Sequence, residues 1–230
     1  MPLLAFDTAQ GALSAAILDG ERVLAHRFEA RTRGHAEELM LAIEAVLEEA
    51  SLTPADLTAL AVTIGPGTFT GLRVGLAAAR GLALARALPL VGVTTLEAVA
   101  APVEAEPQET IAAAFDARRG EVYLQAFDAE GRPQSEPALV PLEAVPGELP
   151  GLCFVAVGTG AGLVAERLAR EGISCRLSDA APQPDALHVA RIAAARLEAH
   201  GPDRYRVAPA PLYLRAPDAK LPGGLDPVFG

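Results

Sequence analysis

Apolar and polar positions divide the chain into short strands and longer helices. Leu3-Leu4-Ala5-Phe6 is an unbroken apolar run that stops at Asp7-Thr8. Leu13 to Leu18 and Arg22 to Phe28 read as two more strands, joined by Asp19-Gly20, a dipeptide that favours a tight hairpin. The period then changes. Leu39, Ile43, Val46, Leu47 and Ala50 recur at helical spacing, with Glu37, Glu44 and Glu48 roughly opposite. The predicted start lies at Thr32 to His35, and Glu37 and Glu38 sit near the positive end of the helix dipole. Leu41 and Ala45 fall on the acidic side. A single exposed leucine is ordinary, but the pair also fits a second, partner-facing surface.

Ser51 to Asp56 is a turn, and Leu60 to Ile64 is a buried strand that runs into Gly65-Pro66-Gly67. In the helix that follows, Gly71, Gly75, Ala79, Ala83 and Ala87 recur every four residues, while Arg73 and Arg80 share another face. A stripe of small side chains allows close backbone approach. It suits a core helix lying flat on a sheet and equally a helix packed on a neighbour from another chain. Leu90 to Val93 is the next strand, and Thr94-Thr95 caps a short helix through Ala100. Residues 101–109, rich in Pro and Glu, read as a boundary between units 1–103 and 104–230.

Beyond the boundary the pattern restarts. Ile111 to Phe115 is a strand ending at Asp116, and Val122 to Phe127 and Ala138 to Val140 are two more. After an irregular Pro141 to Pro150 come a strand from Cys153 to Val157, a Gly158-Thr159-Gly160 turn and a helix from Leu163 to Arg170. A strand from Ser174 to Leu177 and a helix from Leu187 to Ala199 follow. Residues 201–230 read as an extended tail with a ragged end. The repeat is visible in residues: Phe6-Asp7 with Gly11 matches Phe115-Asp116 with Gly120, and Val62-x-Ile64-Gly65-x-Gly67 matches Val155-x-Val157-Gly158-x-Gly160. This is the pattern of a duplicated α/β ribonuclease-H-like fold, with mixed sheets flanked by helices. Actin, the hsp70 ATPases and sugar kinases share that duplication and bind ATP between the halves.

In such an architecture backbone N–H groups at glycine turns hold phosphates. Asp7, Gly158 and Gly160 are the candidate residues of a vestigial nucleotide site, with Gly65 and Gly67 at the equivalent first turn. Gly-x-Gly also simply lets a chain bend, and the sequence contains no Walker-type Gly-Lys-Ser/Thr. An ATP-dependent phosphotransferase is the alternative reading this leaves. In the Asp116-Ala117-Arg118-Arg119-Gly120-Glu121 turn, Asp116 and Glu121 are expected to pair with the neighbouring arginines.

Composition narrows the field. Of 230 residues 51% are apolar, enough for a sizeable core, and the net charge of −10 makes unaided nucleic-acid binding a poor fit. Cys153 and Cys175 lie in apolar runs and read as buried thiols of a reducing compartment. The four histidines show no metal-ligand spacing, and no Gly-x-Ser-x-Gly elbow exists. Asp7 interrupts the first apolar run too early for a signal peptide, and the longest apolar window, Val74 to Val93, is interrupted by Arg80, Arg86 and Pro89, so no membrane span is expected and the expected location is the cytoplasm.

Gly65-Pro66-Gly67-Thr68-Phe69-Thr70-Gly71-Leu72-Arg73-Val74-Gly75-Leu76 resembles the signature of the bacterial TsaB (YeaZ) family. Ala5-Phe6-Asp7-Thr8, His35, Asp116-Ala117-Arg118 to Tyr123, and Pro211-Leu212-Tyr213-Leu214-Arg215 fit as well. The resemblance implies a dimerisation subunit of the machinery that makes N6-threonylcarbamoyladenosine next to the tRNA anticodon, working with its catalytic relative TsaD and the ATPase TsaE. It implies a non-catalytic scaffold with no metal. Where TsaD-like proteins carry two metal-binding histidines, Thr95 and Val99 stand here. It also implies no cofactor of its own, with room for ATP or ADP at the interface with TsaD, and tRNA contact only through the complex. The first two helices are expected to bind TsaD, or a second copy when the protein is alone. The interface residues expected on them are His35, Leu41, Ala45, Gly71, Arg73, Gly75, Ala79, Arg80 and Ala83.

Overall fold

The computed structural model describes residues 1–31 and 34–215, the side chain of His35 excepted. The expected helix start at residues 32–33 and the tail end at 216–230, Lys220 included, lie outside the described residues. The first sheet is built from β1 (Pro2–Asp7), β2 (Ala12–Asp19), β3 (Arg22–Ala30), β4 (Ala59–Gly65) and β5 (Leu90–Thr94), with α1 (His35–Glu49), α2 (Phe69–Arg86) and α3 (Thr95–Ala100) interleaved. Its order is β3-β2-β1-β4-β5. The two hairpin partners run antiparallel, and β1, β4 and β5 run parallel. β1 is buried on both faces, which explains its unbroken apolar run.

The second sheet repeats the first. It comprises β6 (Thr110–Arg118), β7 (Glu121–Phe127), β8 (Ala138–Pro141), β9 (Cys153–Val157) and β10 (Ser174–Leu177) in the order β10-β9-β6-β7-β8, the same topology read from the other edge. A short α4 (Val145–Glu148) stands where the first half has the long α1; α5 (Ala161–Ala169) corresponds to α2, and α6 (Ala186–His200) closes the series.

The helices following the last strand of each sheet are exchanged. Leu96, Val99 and Ala100 of α3 pack with Ile111, Phe115 and Val155 of the second sheet. Val189, Ala190, Ala193 and Leu197 of α6 pack with Leu3, Ala5, Ala16 and Val91 of the first. The composition break at 103/104 falls between the two sheets in sequence, but both cores cross it. Two polar devices fix α3: Thr94 and Glu97 form a reciprocal capping box, and Glu97 also pairs with Arg196 of α6.

A second fastening joins β10 to the head of β6. Arg176 donates from Nε (2.8 Å) and Nη2 (2.7 Å) to the carboxylate of Glu109, a residue only 7% exposed. The guanidinium holds that carboxyl below its ordinary range. Arg176→Ala should therefore lower the unfolding free energy in urea by about 1–3 kcal/mol at neutral pH. Because the carboxyl is depressed in the folded state, the deficit should shrink as pH falls below 4.5, its ordinary value. A deficit that stays constant down to acid pH would show that the pair contributes through packing alone.

Candidate functional site

The two glycine turns do the same structural job in each half. A Cβ on Gly67 would stand 2.4 Å from the Ala9 carbonyl oxygen, and one on Gly158, whose φ is 96°, would stand 2.2 Å from that of Ala114. The chain must pass this close because the start of the following helix presses on the backbone leaving the first strand. The contacts repeat as hydrogen bonds: Thr68 N donates to Ala9 O (2.8 Å) and Gly160 N to Ala114 O (2.9 Å). At the start of α2 the Thr68 side chain accepts from Gly71 N. At the start of α5, Ala161 N donates to Gly158 O. Four of the backbone donors at these turns, those of Thr68, Gly71, Gly160 and Ala161, are already in use within the chain.

Asp7 lies at the centre of a buried polar layer between the first sheet and the start of α6. Asp7, Ser14, Thr63 and Thr95 are all buried. Asp7 Oδ1 accepts from the Thr63 hydroxyl and from Ala9 N (3.2 Å). Its Oδ2 is buried with no hydrogen-bond partner among the described residues. Burial pushes the Asp7 carboxyl up to about 7, the two hydrogen bonds oppose this only in part, and the nearby charge of Asp185 adds to it. Asp185 caps α6 by accepting from Leu187 N (2.8 Å), and its Oδ1 lies 2.7 Å from His26 Nε2. That hydrogen bond raises the imidazole pKa of His26. On Asp185 itself, burial is the largest single influence and disfavours the charge, but the hydrogen bonds from His26 and Leu187 N and the charges of His26 and His188 together outweigh it, and the carboxyl is lowered. Ser14 Oγ accepts from Ala186 N (2.9 Å), and Gln183 Oε1 from Gly11 N (2.9 Å). Residues 183–186 thus close over the expected nucleotide cleft at Asp7, which is fully buried.

The other candidate surface lies on α1 and α2. Leu41 is 58% exposed and Leu84 is 87% exposed. The exposed face of α2 runs through Arg73, Ala77, Gly81, Leu84 and Ala85. Within their helical spans the two helices carry opposite charge. α1 contains five glutamates and no Lys or Arg, whereas α2 contains three arginines and no acid. Arg73 and Arg80 have no carboxylate partner among the described residues, whereas the charge of Arg86 acts on the Asp56 carboxylate; Arg80 and Arg86 donate to the backbone oxygens of Pro209 and Ala55.

Of the residues expected at the interface, Leu41, Arg73 and Arg80 are exposed, and Ala45 and Ala83 are half-buried. His35 opens α1, and its side chain lies outside the description. Gly71, Gly75 and Ala79 face inward, and this corrects their assignment. A Cβ on Gly71 would stand 2.0 Å from Thr8 O and one on Gly75 2.7 Å from Thr8 Oγ1, while Ala79 is fully buried in the core beneath α2. The small-residue stripe is the surface on which the chain's own first sheet lies. A second small-residue row, Ala77, Gly81 and Ala85, is the one turned outward. Its signal was present, since α2 is Ala- and Gly-rich all round. Asp7, Gly158 and Gly160, assigned to nucleotide binding, are all buried. In the charged turn Asp116 pairs with Arg118 (3.0 Å), as expected, and Glu121 pairs with Arg215 from the tail.

Paired ribonuclease-H-like sheets with exchanged helices define the class that includes actin, the hsp70 ATPases and the sugar kinases. A family model described as TsaD, tRNA N6-adenosine threonylcarbamoyltransferase, matches residues 22–181. The tRNA threonylcarbamoyladenosine biosynthesis protein TsaB of Escherichia coli is 40% identical over 54% of this chain and 53% of its own length. The Bacillus subtilis protein of the same name is 35% identical over the same shares. The chain spans about half the length of these two relatives. The structure of YeaZ from Pseudomonas aeruginosa superposes with a TM-score of 0.75 and 33% identity, covering 93% of this chain and 99% of that one. The chain belongs to the threonylcarbamoyltransferase (TsaD) family and within it is of the TsaB (YeaZ) kind. Among the described residues no helix is long and apolar enough to cross a membrane.

Proposed function

We propose that this chain is a non-catalytic subunit that docks on a TsaD-type partner and supports formation of N6-threonylcarbamoyladenosine in tRNA, next to the anticodon. The observation that carries the reading is the α1–α2 face. It exposes Leu41 and Leu84 beside glutamates on one helix and, on the other, arginines of which Arg73 and Arg80 have no carboxylate partner among the described residues. Such a face suits a partner with both apolar and charged complementarity. The names of the relatives support the choice of partner and pathway.

The lack of catalysis is argued from residues. Thr95 and Val99, at the positions where the family resemblance puts metal-binding histidines, are both buried. The Thr95 hydroxyl donates to Pro66 O (2.6 Å), and Val99 packs between α3 and the second sheet. Neither side chain is a ligand for a transition metal. The buried setting of Asp7 supports a reading in which any ATP or ADP is held at the interface with the partner rather than in this chain's own cleft. A TsaE-type ATPase completes the proposed assembly, tRNA is contacted through the complex in the cytoplasm, and the α1–α2 face serves a homodimer when the partner is absent.

Reconstitution of tRNA modification from purified components tests this. Modification should require the chain and fall at least tenfold with Leu41→Glu, a surface change that leaves the core intact. Full activity without the chain would sink the reading.

A further inference from the structure

We propose that the tail forms a third part of the docking surface, and that Tyr213 with Phe69 and Arg73 anchors a segment of the partner that carries a carboxylate beside an apolar side chain. The inference rests on the docking reading above and adds the element that completes it. After α6 the tail runs back along α2. Pro209 O accepts from Arg80 Nη2 (2.7 Å), and Leu212 N donates to Ile64 O (2.7 Å). Tyr213 then lies over the first turn of α2, its ring centroid 5.8 Å from that of Phe69. The Arg73 guanidinium sits 3.7 Å above the Phe69 ring, and its Nε lies 3.4 Å from the Tyr213 hydroxyl. Phe69 is 49% and Tyr213 44% exposed, so about half of each ring faces outward.

Stacked aromatics holding an arginine are the residue types that dominate interface energetics. They are continuous with the exposed face of α2. Arg73 makes no ion pair among the described residues, so its preferred partner is a carboxylate, and the ring faces call for an apolar side chain beside it. Two residues further on, Arg215 donates to Ala117 O (2.7 Å) and pairs with Glu121 in the second half. A partner seated on Tyr213 is therefore mechanically linked to the β6–β7 turn.

Isothermal titration of the full chain into the purified TsaD-type subunit from the same cell tests the proposal. Tyr213→Ala and the double variant Phe69→Ala/Tyr213→Ala should bind at least tenfold more weakly, with circular dichroism unchanged. Tyr213→Phe should keep most of the affinity. Parental affinity for folded Tyr213→Ala, together with loss of binding by Leu41→Glu, overturns the tail's role and leaves the docking reading standing. Absence of binding by the parent chain removes the docking reading, and with it this inference.

Discussion

Gly71→Ala is expected to prevent stable folding, although it replaces a glycine inside a helix by the best helix former. The propensity gain is about 1 kcal/mol. Against it stands a methyl group 2.0 Å from the Thr8 carbonyl oxygen and 2.6 Å from Thr68 Oγ1. Backbone cannot move aside as a flexible side chain does, so α2 must lift from the sheet. Lifting it breaks the bond from the Thr8 hydroxyl to Gly71 O (2.8 Å) and opens the layer that holds Leu72 and Leu76. Overpacking alone costs about 1–3 kcal/mol, and buried contacts are lost in addition. The total is a large share of the roughly 5–15 kcal/mol that holds a domain together. A urea titration followed by circular dichroism should show a midpoint far below that of the parent, or no transition at all. An unchanged midpoint would mean that α2 seats differently. Loss of partner binding by this variant would report the fold, whereas loss by Leu41→Glu or Tyr213→Ala reports the surface.

Asp7→Asn should make the protein more stable in alkaline solution. The Asp7 carboxyl is raised from 3.8 to about 7 in the fold, so between these values the folded chain keeps a proton that the unfolded chain has released. Stability therefore falls as pH rises from about 4 to about 7 and is level above that, a total of roughly 4 kcal/mol. An amide keeps the acceptor for Thr63 and Ala9 without bringing a charge under α6. The difference between variant and parent should be small near pH 4, grow through pH 7 and then plateau. The His26–Asp185 pair adds its own dependence in both proteins, since its raised imidazole loses its contribution as pH rises; the difference reduces it, leaving the part that couples Asp185 to Asp7. Asp7→Asn should in addition support tRNA modification in the reconstituted system. Loss of modification by a folded Asp7→Asn protein would give the carboxylate a chemical role and reopen the nucleotide cleft.

The duplicated fold was legible because the repeat is written at strand ends. Phe6-Asp7 closes the first strand of one sheet and Phe115-Asp116 lies near the end of the first strand of the other, and the glycine turns follow the fourth, where backbone crowding leaves room for nothing larger. The exchange of α3 and α6 was not legible. Leu96 and Val99, like Val189 and Ala193, define an apolar face, but periodicity does not say which sheet the face will meet. Gly71, Gly75 and Ala79 misled for a related reason: a smooth stripe serves a sheet as well as a helix. Tyr213 was noticed only as part of a motif, because its contact with Phe69 joins residues far apart in sequence. Leu41 and the arginines of α2 could be read directly, since exposure follows from the helical period.

The exchange of α3 and α6 also matters while the chain is being made. When Thr94 has been added, the first sheet has all five strands, yet the face of Leu3, Ala5, Ala16 and Val91 has nothing over it. Its cover begins at Ala186. At a synthesis rate of about 5–20 residues per second, that face waits on the order of 5–20 seconds. The first half leaves the ribosome as an unfinished sandwich, and the helix that finishes it is made only after every strand of the second sheet.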